Sequence, residues 1–459
     1  MKSTAFVFSL LFSLSAVGVQ AADSGSKPNI VLILADDLGR HDCGFMGGPV
    51  KTPNLDKLAG TGTKLDAFYV QPVCSPTRAA LMTGRYPMRH GLQVGVVRPW
   101  AQYGLPLEER TLPQVLQEAG YETAICGKWH LGHFQKEYLP TRRGFDFQYG
   151  HYNGALDYNT HIRDGGFDWH KNDEVCRDEG YSTHLLGAAA AEFVKQNAGK
   201  KPFFLYVPFN AVHAPHQVPE KYSAPYTGLK GDRRIYAGML SAMDEAVGKI
   251  VEAVDAAGAM DNTLFLFSSD NGGPAPGRVT DNGPYRAGKG TLYEGGVRVV
   301  AFASWKGHVP TGAVNTQPMH IVDLLPTLAK LAGTEPPSKL PLDGRDVWPS
   351  IVEGRPSPHD TILLNTTPKT GALRAGDWKL VVKNGVDDPD DAEAAVDTTP
   401  GVQLYNLATD PYEKNNLAEK EPARVKELQG KLDQFATQAV PPKIKPKPKG
   451  FKTPKVWGE

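Results

Sequence analysis

The chain has 459 residues, more than a single compact core usually fills, so two domains or one large α/β domain with an appendage are expected. Its 50 basic residues are balanced by 50 acidic ones. That balance excludes a broad basic surface for nucleic acid and directs attention to local sites.

The N-terminal stretch "MKSTAFVFSLLFSLSAVGVQAADSG" has a lysine at position 2, an apolar run from Ala5 to Val19 and small residues at Val19 and Ala21. It predicts a signal peptide over residues 1–21, cleaved after Ala21 or Ala22, because the run is shorter than the ~20 residues a bilayer crossing needs. No later run is long enough to span a membrane. The expected compartment is periplasmic or extracellular, or lysosomal in a eukaryotic host. Export would place Cys43, Cys74, Cys126 and Cys176 in oxidising surroundings, where up to two disulfides are expected, or one if Cys74 has another role.

Four short apolar runs then end in polar clusters: "KPNIVLILADD", "YETAICGKWHLG", "KPFFLYVPFNAVHAPH" and "NTLFLFSSDNGG". Continuous runs of this kind read as strands buried on both faces. Helical stretches at residues 182–195 and 236–254 lie between them, so an α/β fold follows, with a mixed or parallel sheet between helices. This catalytic domain is expected over residues 22–360. Short strands in "TILLN" and "GDWKLVVK", an acidic loop at 387–397 and a helix from about Pro422 predict a smaller α+β subdomain over 361–440. Residues 441–459, rich in Pro and Lys, predict an extended tail.

Ligands in α/β folds bind beyond the carboxyl ends of the strands. Asp36–Asp37 and Asp270–Asn271 each stand at such an end, and if their strands are neighbours, four oxygen-bearing side chains converge. Repelling carboxylates brought together call for a cation, and oxygen ligands suit Ca²⁺ or Mg²⁺ better than Zn²⁺. The alternative is that each Asp caps a following turn. In "VCSPTRAALMTGR", Ser75 as N-cap and Pro76 as first residue predict a helix with Cys74 just outside its anion-favouring N-terminus; a small buried cysteine is the competing reading. Lys128 and His130 in "GKWHLG", His213 and His216 in "NAVHAPH", and Lys289 among glycines add cationic groups suited to an oxyanion.

These motifs together resemble the type I sulfatases: the CxPxR core at Cys74, Pro76 and Arg78, with "LADDLG", "GKWHLG", "SSDNGG" and "TLYEGGVR" in the family's order. "LPTRRGFD", "YAGMLSAMDEAVG", "PLDGRDVW" and the terminal "VWGE" are similar to the arylsulfatase B branch of that family, the N-acetylgalactosamine-4-sulfatases. The resemblance implies the alkaline-phosphatase-superfamily fold and a sulfuric ester hydrolase. It implies that a separate maturation enzyme oxidises Cys74 to Cα-formylglycine. It implies Asp36, Asp37, Asp270 and Asn271 as Ca²⁺ ligands, with residue 74 beside the ion. Arg78, Lys128 and His130 match groups that hold the formylglycine, while His213 and Lys289 match groups that bind sulfate and assist the leaving oxygen; Lys128 is also expected at the substrate. His216 has no counterpart in the motifs. A hydrated aldehyde explains the modification: its second hydroxyl lets sulfate leave by C–O cleavage, without another attack on sulfur.

The implied substrate is a glycan bearing 4-O-sulfo-galactose or 4-O-sulfo-N-acetylgalactosamine, of carrageenan or chondroitin/dermatan type. The aromatic- and His-rich segment Gly150–His170 is either a lining of the substrate cleft or an ordinary surface loop. Two other readings are a phosphoester or phosphonate hydrolase on the same fold and a non-catalytic glycan-binding homologue.

Overall fold

The computed structural model describes residues 27–336, 339–367, 370–382 and 401–459. The expected signal peptide and the 387–397 loop lie outside these. Strands β1 (Asn29–Ala35), β2 (Glu122–Lys128), β3 (Phe147–His151), β4 (Phe203–Pro208) and β5 (Thr263–Ser269) run parallel in the order β5-β1-β4-β2-β3. Strand β6 (Ala301–Ser304) adds antiparallel to β5, and shorter strands extend both edges to a ten-stranded sheet. Each apolar run read from the sequence is one of these buried strands.

Alternation along β1 explains why the sheet is covered twice. Ile30, Leu32 and Leu34 enter one apolar cluster, whereas Val31, Ile33 and Ala35 enter another on the opposite face. Helices α2 (Ser182–Asn197) and α3 (Gly231–Ala256) close the second face, with Leu186, Ala190, Met239, Met243 and Val247 in its core. Helix α1 (Cys74–Thr83) is buried along its whole length against the first.

Beyond a short helix α4 (Glu294–Val297) comes a separate antiparallel sheet in sequential order: β7 (Ile362–Thr367), β8 (Thr370–Ala375), β9 (Trp378–Val382) and β10 (Val402–Asn406). Helix α5 (Pro422–Ala436) packs on it. Ile362, Leu364, Val381 and Tyr405 join Tyr69, Tyr293 and Val297 in a third apolar cluster that fastens this sheet to the body.

Two expectations are corrected. All four cysteines are free thiols, so no disulfide forms; Cys43, Cys74 and Cys126 are buried and behave as small apolar residues. Helix α1 starts two residues earlier than the capping pattern predicts. Val73 is its N-cap and its carbonyl accepts from the Thr77 N–H, so Cys74 is the first helical residue. Ser75 caps nothing: its hydroxyl donates to the His130 carbonyl and accepts from the Val97 N–H.

No helix among the described residues is long and apolar enough to cross a membrane.

Candidate active site

Register assembles the site. Ala35 at the end of β1 pairs with Ser269 at the end of β5, so Asp36–Asp37 and Asp270–Asn271 emerge side by side, as expected if their strands are neighbours. The pairs interlock: the Asp37 N–H donates to Asp270 Oδ1 at 3.2 Å, and Asn271 Nδ2 donates to Asp37 Oδ1 at 2.7 Å. Strand β4, on the other side of β1, leads into the loop carrying His213, and β2 ends on Lys128. Two residues just past strand ends adopt positive φ, Asp37 at 62° and His130 at 60°. Such a conformation costs a non-glycine residue roughly 1–2 kcal/mol, so these turns are imposed by their surroundings.

Cys74 Sγ lies 3.4 Å from Asp36 Oδ1 and 3.5 Å from Asn271 Oδ1. Arg78, one turn further along α1, donates through Nε and Nη2 to Asp270 Oδ2 (3.2 and 2.8 Å) and through Nη1 to the Lys128 carbonyl (3.0 Å). All of its charge is therefore spent inside the protein, tying α1 to the ends of β2 and β5. Lys128 Nζ is 2.5 Å from Asp36 Oδ2, and Lys289 Nζ is 2.9 Å from Asp37 Oδ2.

His213 completes the far side. The Ala214 carbonyl accepts at 2.6 Å from Nδ1, so that nitrogen carries a proton, and Nε2 faces Lys289 Nζ at 3.3 Å and Asp37 Oδ2 at 3.6 Å. His130 is arranged in the opposite sense: Nε2 donates to the Val97 carbonyl, leaving Nδ1 buried without a partner. His216 stands apart, 3.8 Å from Asp232 with its ring edge-on to Tyr236.

Burial and neighbouring carboxylates, Asp270 foremost, push Asp36 up to about 7. Burial acts on Asp37 in the same sense, but Lys289 and His213 outweigh it and hold that carboxyl well below its usual range. Asp270 is likewise lowered, because Arg78 and Lys128 overcome its burial. Burial and Asp270 push the Cys74 thiol far up, so it is no thiolate nucleophile as it stands. Burial, Lys128 and Arg78 keep His130 neutral.

A cation fits this place on the structure's own terms. One oxygen from each of Asp36 and Asp37, Cys74 Sγ and a ring nitrogen of His213 all lie within 4.8 Å of one another, next to the Asp270 and Asn271 side chains. Buried carboxylates at this density, one of them driven toward its neutral form, are the environment a hard divalent ion relieves.

The segment 150–170 turns largely inward. Trp169 stacks between the rings of His151 and His161, and Asp168 accepts from the Tyr152 and Asn153 N–H groups and from Asn153 Nδ2. Within that segment His151 and Tyr152 are the site neighbours: His151 pairs with Lys128 across β2 and β3, and the Tyr152 carbonyl accepts from the His130 N–H. Only the parallel register of β2 and β3 brings them there.

Comparison with known proteins identifies the family. A family model described as Sulfatase matches residues 28–334. Arylsulfatase J of Mus musculus is 38% identical over 466 aligned residues, spanning 92% of this chain and 78% of that protein. The N-acetylgalactosamine-6-sulfatase of Homo sapiens is 37% identical over 362, spanning 74% and 68%. Among solved structures, Ps i-CgsB in complex with k-i-k-neocarrahexaose superposes with a TM-score of 0.82 at 34% identity, covering 91% of this chain and 94% of that one. The chain belongs to the sulfatase family, of the type I kind, and its fold is that of the sulfatases within the alkaline phosphatase superfamily. That family is a class of sulfuric ester hydrolases.

Proposed function

We propose that this protein removes sulfate from a sulfated galactan or galactosaminoglycan, acting on 4-O-sulfo-galactose or 4-O-sulfo-N-acetylgalactosamine units. The observation that carries the reading is the placing of Cys74 against Asp36 and Asn271 on one side, with His213 and Lys289 meeting at Asp37 on the other. A sulfate ester fits between: its sulfur toward residue 74, its leaving oxygen toward His213. The carrageenan-type hexasaccharide bound by i-CgsB and the galactosamine relatives support a galacto-configured sugar.

Asp36, Asp37, Asp270 and Asn271 would hold the metal, Ca²⁺ in preference to Mg²⁺ because Ca²⁺ accepts such oxygen donors without the strict octahedron that Mg²⁺ demands. The ion would supply Lewis-acid charge at the sulfuryl oxygens. Formylglycine at position 74 would supply a nucleophile able to shed sulfate afterwards. The remaining work falls to side chains in place. Arg78 fixes α1 and therefore residue 74. Lys128 and Lys289 present ammonium groups to charge developing on sulfate. His213, with Nδ1 anchored on a carbonyl, would give a proton from Nε2 to the departing sugar oxygen when its ring is protonated on both nitrogens. Neutral His130, whose Nδ1 is buried without a partner, would help hold the formylglycine.

Catalytic and C-terminal domains at 22–360 and 361–440, export through residues 1–21, and maturation by a separate enzyme belong to the same reading. The test has two arms. In protein made together with a formylglycine-generating enzyme, mass spectrometry of the peptide holding residue 74 is expected to show an aldehyde in place of the thiol; a free thiol would overturn the assignment. Sulfate release should be faster from 4-O-sulfated than from 6-O-sulfated galactose oligosaccharides, and the reverse order would overturn the regiochemistry.

A further inference from the structure

The last stretch of the chain, residues 440–459, contains lysines at 443, 445, 447, 449, 452 and 455, and its single acidic residue is the terminal Glu459. A run like this is ordinarily a solvated tail. Here it is strapped to the body at both ends. The Val440 and Lys443 N–H groups donate to the Met88 and Gly91 carbonyls at 2.9 and 2.8 Å, and Gln93 Nε2 donates to the Val440 carbonyl at 2.8 Å. At the far end Val456 bridges to Phe167, and Trp457 is buried, its Nε1 donating to the Arg163 carbonyl. Among the described residues none of these six lysines takes part in an ion pair.

Between its anchors the strap passes a pocket of about 190 Å³ lined by Trp100, Gln102, Tyr103, Lys443, Lys445 and Pro446. Trp100 Nε1 donates to the Lys445 carbonyl at 3.4 Å, and Lys447 Nζ stands 5.3 Å from the indole centroid and 5.7 Å from the Phe451 ring. Aromatic rings beside ammonium groups that take part in no ion pair suit one chemistry well: a sugar ring that stacks and carries an anionic ester. The pocket is tied to the catalytic centre through a short piece of chain. The Val97 carbonyl accepts from His130 Nε2 and its N–H donates to Ser75 Oγ, and Trp100 follows three residues later, at most about 11 Å along the backbone.

We infer that the C-terminal strap and the 100–103 segment form an accessory subsite for a further sulfated sugar of a polymeric substrate, one that holds the chain while a neighbouring ester is cut. This deepens the function proposed above and rests on its identification of a sulfated glycan.

The test separates binding from turnover. Full-length protein carrying Cys74→Ala, which cannot be matured, is passed over immobilised carrageenan, with and without Lys443→Ala, Lys445→Ala and Lys447→Ala together. The triple variant is expected to bind roughly tenfold more weakly at physiological salt and to show a shallower salt dependence. A control set, Lys195→Ala, Lys200→Ala and Lys201→Ala, lies by the amino end of β4, the opposite end from the site, and is expected to bind as the parent does. In matured enzyme the strap variant should raise KM for the polymer about tenfold while turnover of a small aryl sulfate stays unchanged. Equal retention of the strap variant and parent, or equal loss in the control set, would overturn the subsite. Retention that depends on the strap in a protein releasing no sulfate would instead reject the proposed activity and leave the subsite standing.

Discussion

Lys289 shows how a single side chain is shared between holding the fold and serving the chemistry. Its ammonium is 2.9 Å from Asp37 and 3.3 Å from His213 Nε2, so it both neutralises a buried carboxylate and sets the charge that the histidine feels. Lys289→Ala is expected to lower kcat by about 10² to 10³ while KM for a small aryl sulfate changes far less, because the charge it offsets develops mainly in the transition state. Steady-state kinetics with unchanged circular dichroism would check this; an equal loss carried wholly by KM would assign Lys289 to ground-state binding. At this scale the sequence was legible where a strand end presents its chemistry directly, as at Asp36, Asp37, Asp270 and Asn271. Ser75 was not: its identity suits a helix cap, and only the approach of Val97 and the His130 carbonyl turns its hydroxyl elsewhere.

Among the elements, the parallel strands were readable because burial on both faces leaves an unbroken apolar run. The tail was readable as extended, since Pro and Lys support neither helix nor core, but its course depends on a pairing with Phe167 that lies far away in sequence. That pairing centres on Trp457, whose backbone N–H donates to the Phe167 carbonyl while the Phe167 N–H donates to the Lys455 carbonyl. The indole lies edge-on to His133 and stacks on Phe451, locking the Ile162–Phe167 hairpin beneath it. Trp457→Ala removes a large buried side chain, a change that typically costs about 3–5 kcal/mol, and here the loss should be confined to the strap. Trypsin should then cut at the tail lysines much faster than in the parent, while the melting of the body is little altered. Cleavage at the parental rate would show that the strap is held by its first anchor alone.

For the whole molecule, the join between the large sheet and the C-terminal sheet is set by a buried charge cluster as well as by apolar packing. Lys379 on β9 reaches Glu294 of α4 at 2.9 Å and Glu413 at 2.8 Å, and Glu413 Oε2 accepts from the Glu294 N–H. Two carboxylates around one ammonium cannot both be satisfied. Lys379, Arg298 and Arg374 outweigh the burial of Glu294 and hold it down at about 2, whereas burial and the proximity of Glu294 push Glu413 up to about 7. Unfolded, both would titrate near the ordinary glutamate value, so between about pH 4.5 and 7 the folded protein keeps a proton on Glu413 that the unfolded chain has released. Stability from this group is full below that window and is lost as pH rises through it. Glu294 acts in the opposite sense, and its contribution is lost only as pH falls from about 4.5 toward 2. Glu413→Gln keeps an acceptor for the Glu294 N–H but removes the titrating charge, so the fall in melting temperature between pH 5 and pH 8 should be smaller in the variant than in the parent. Calorimetric scans of both proteins at the two pH values measure that difference, and parallel slopes would mean that Lys379 stabilises both carboxylates as ions and that the join between the sheets is insensitive to pH in this range.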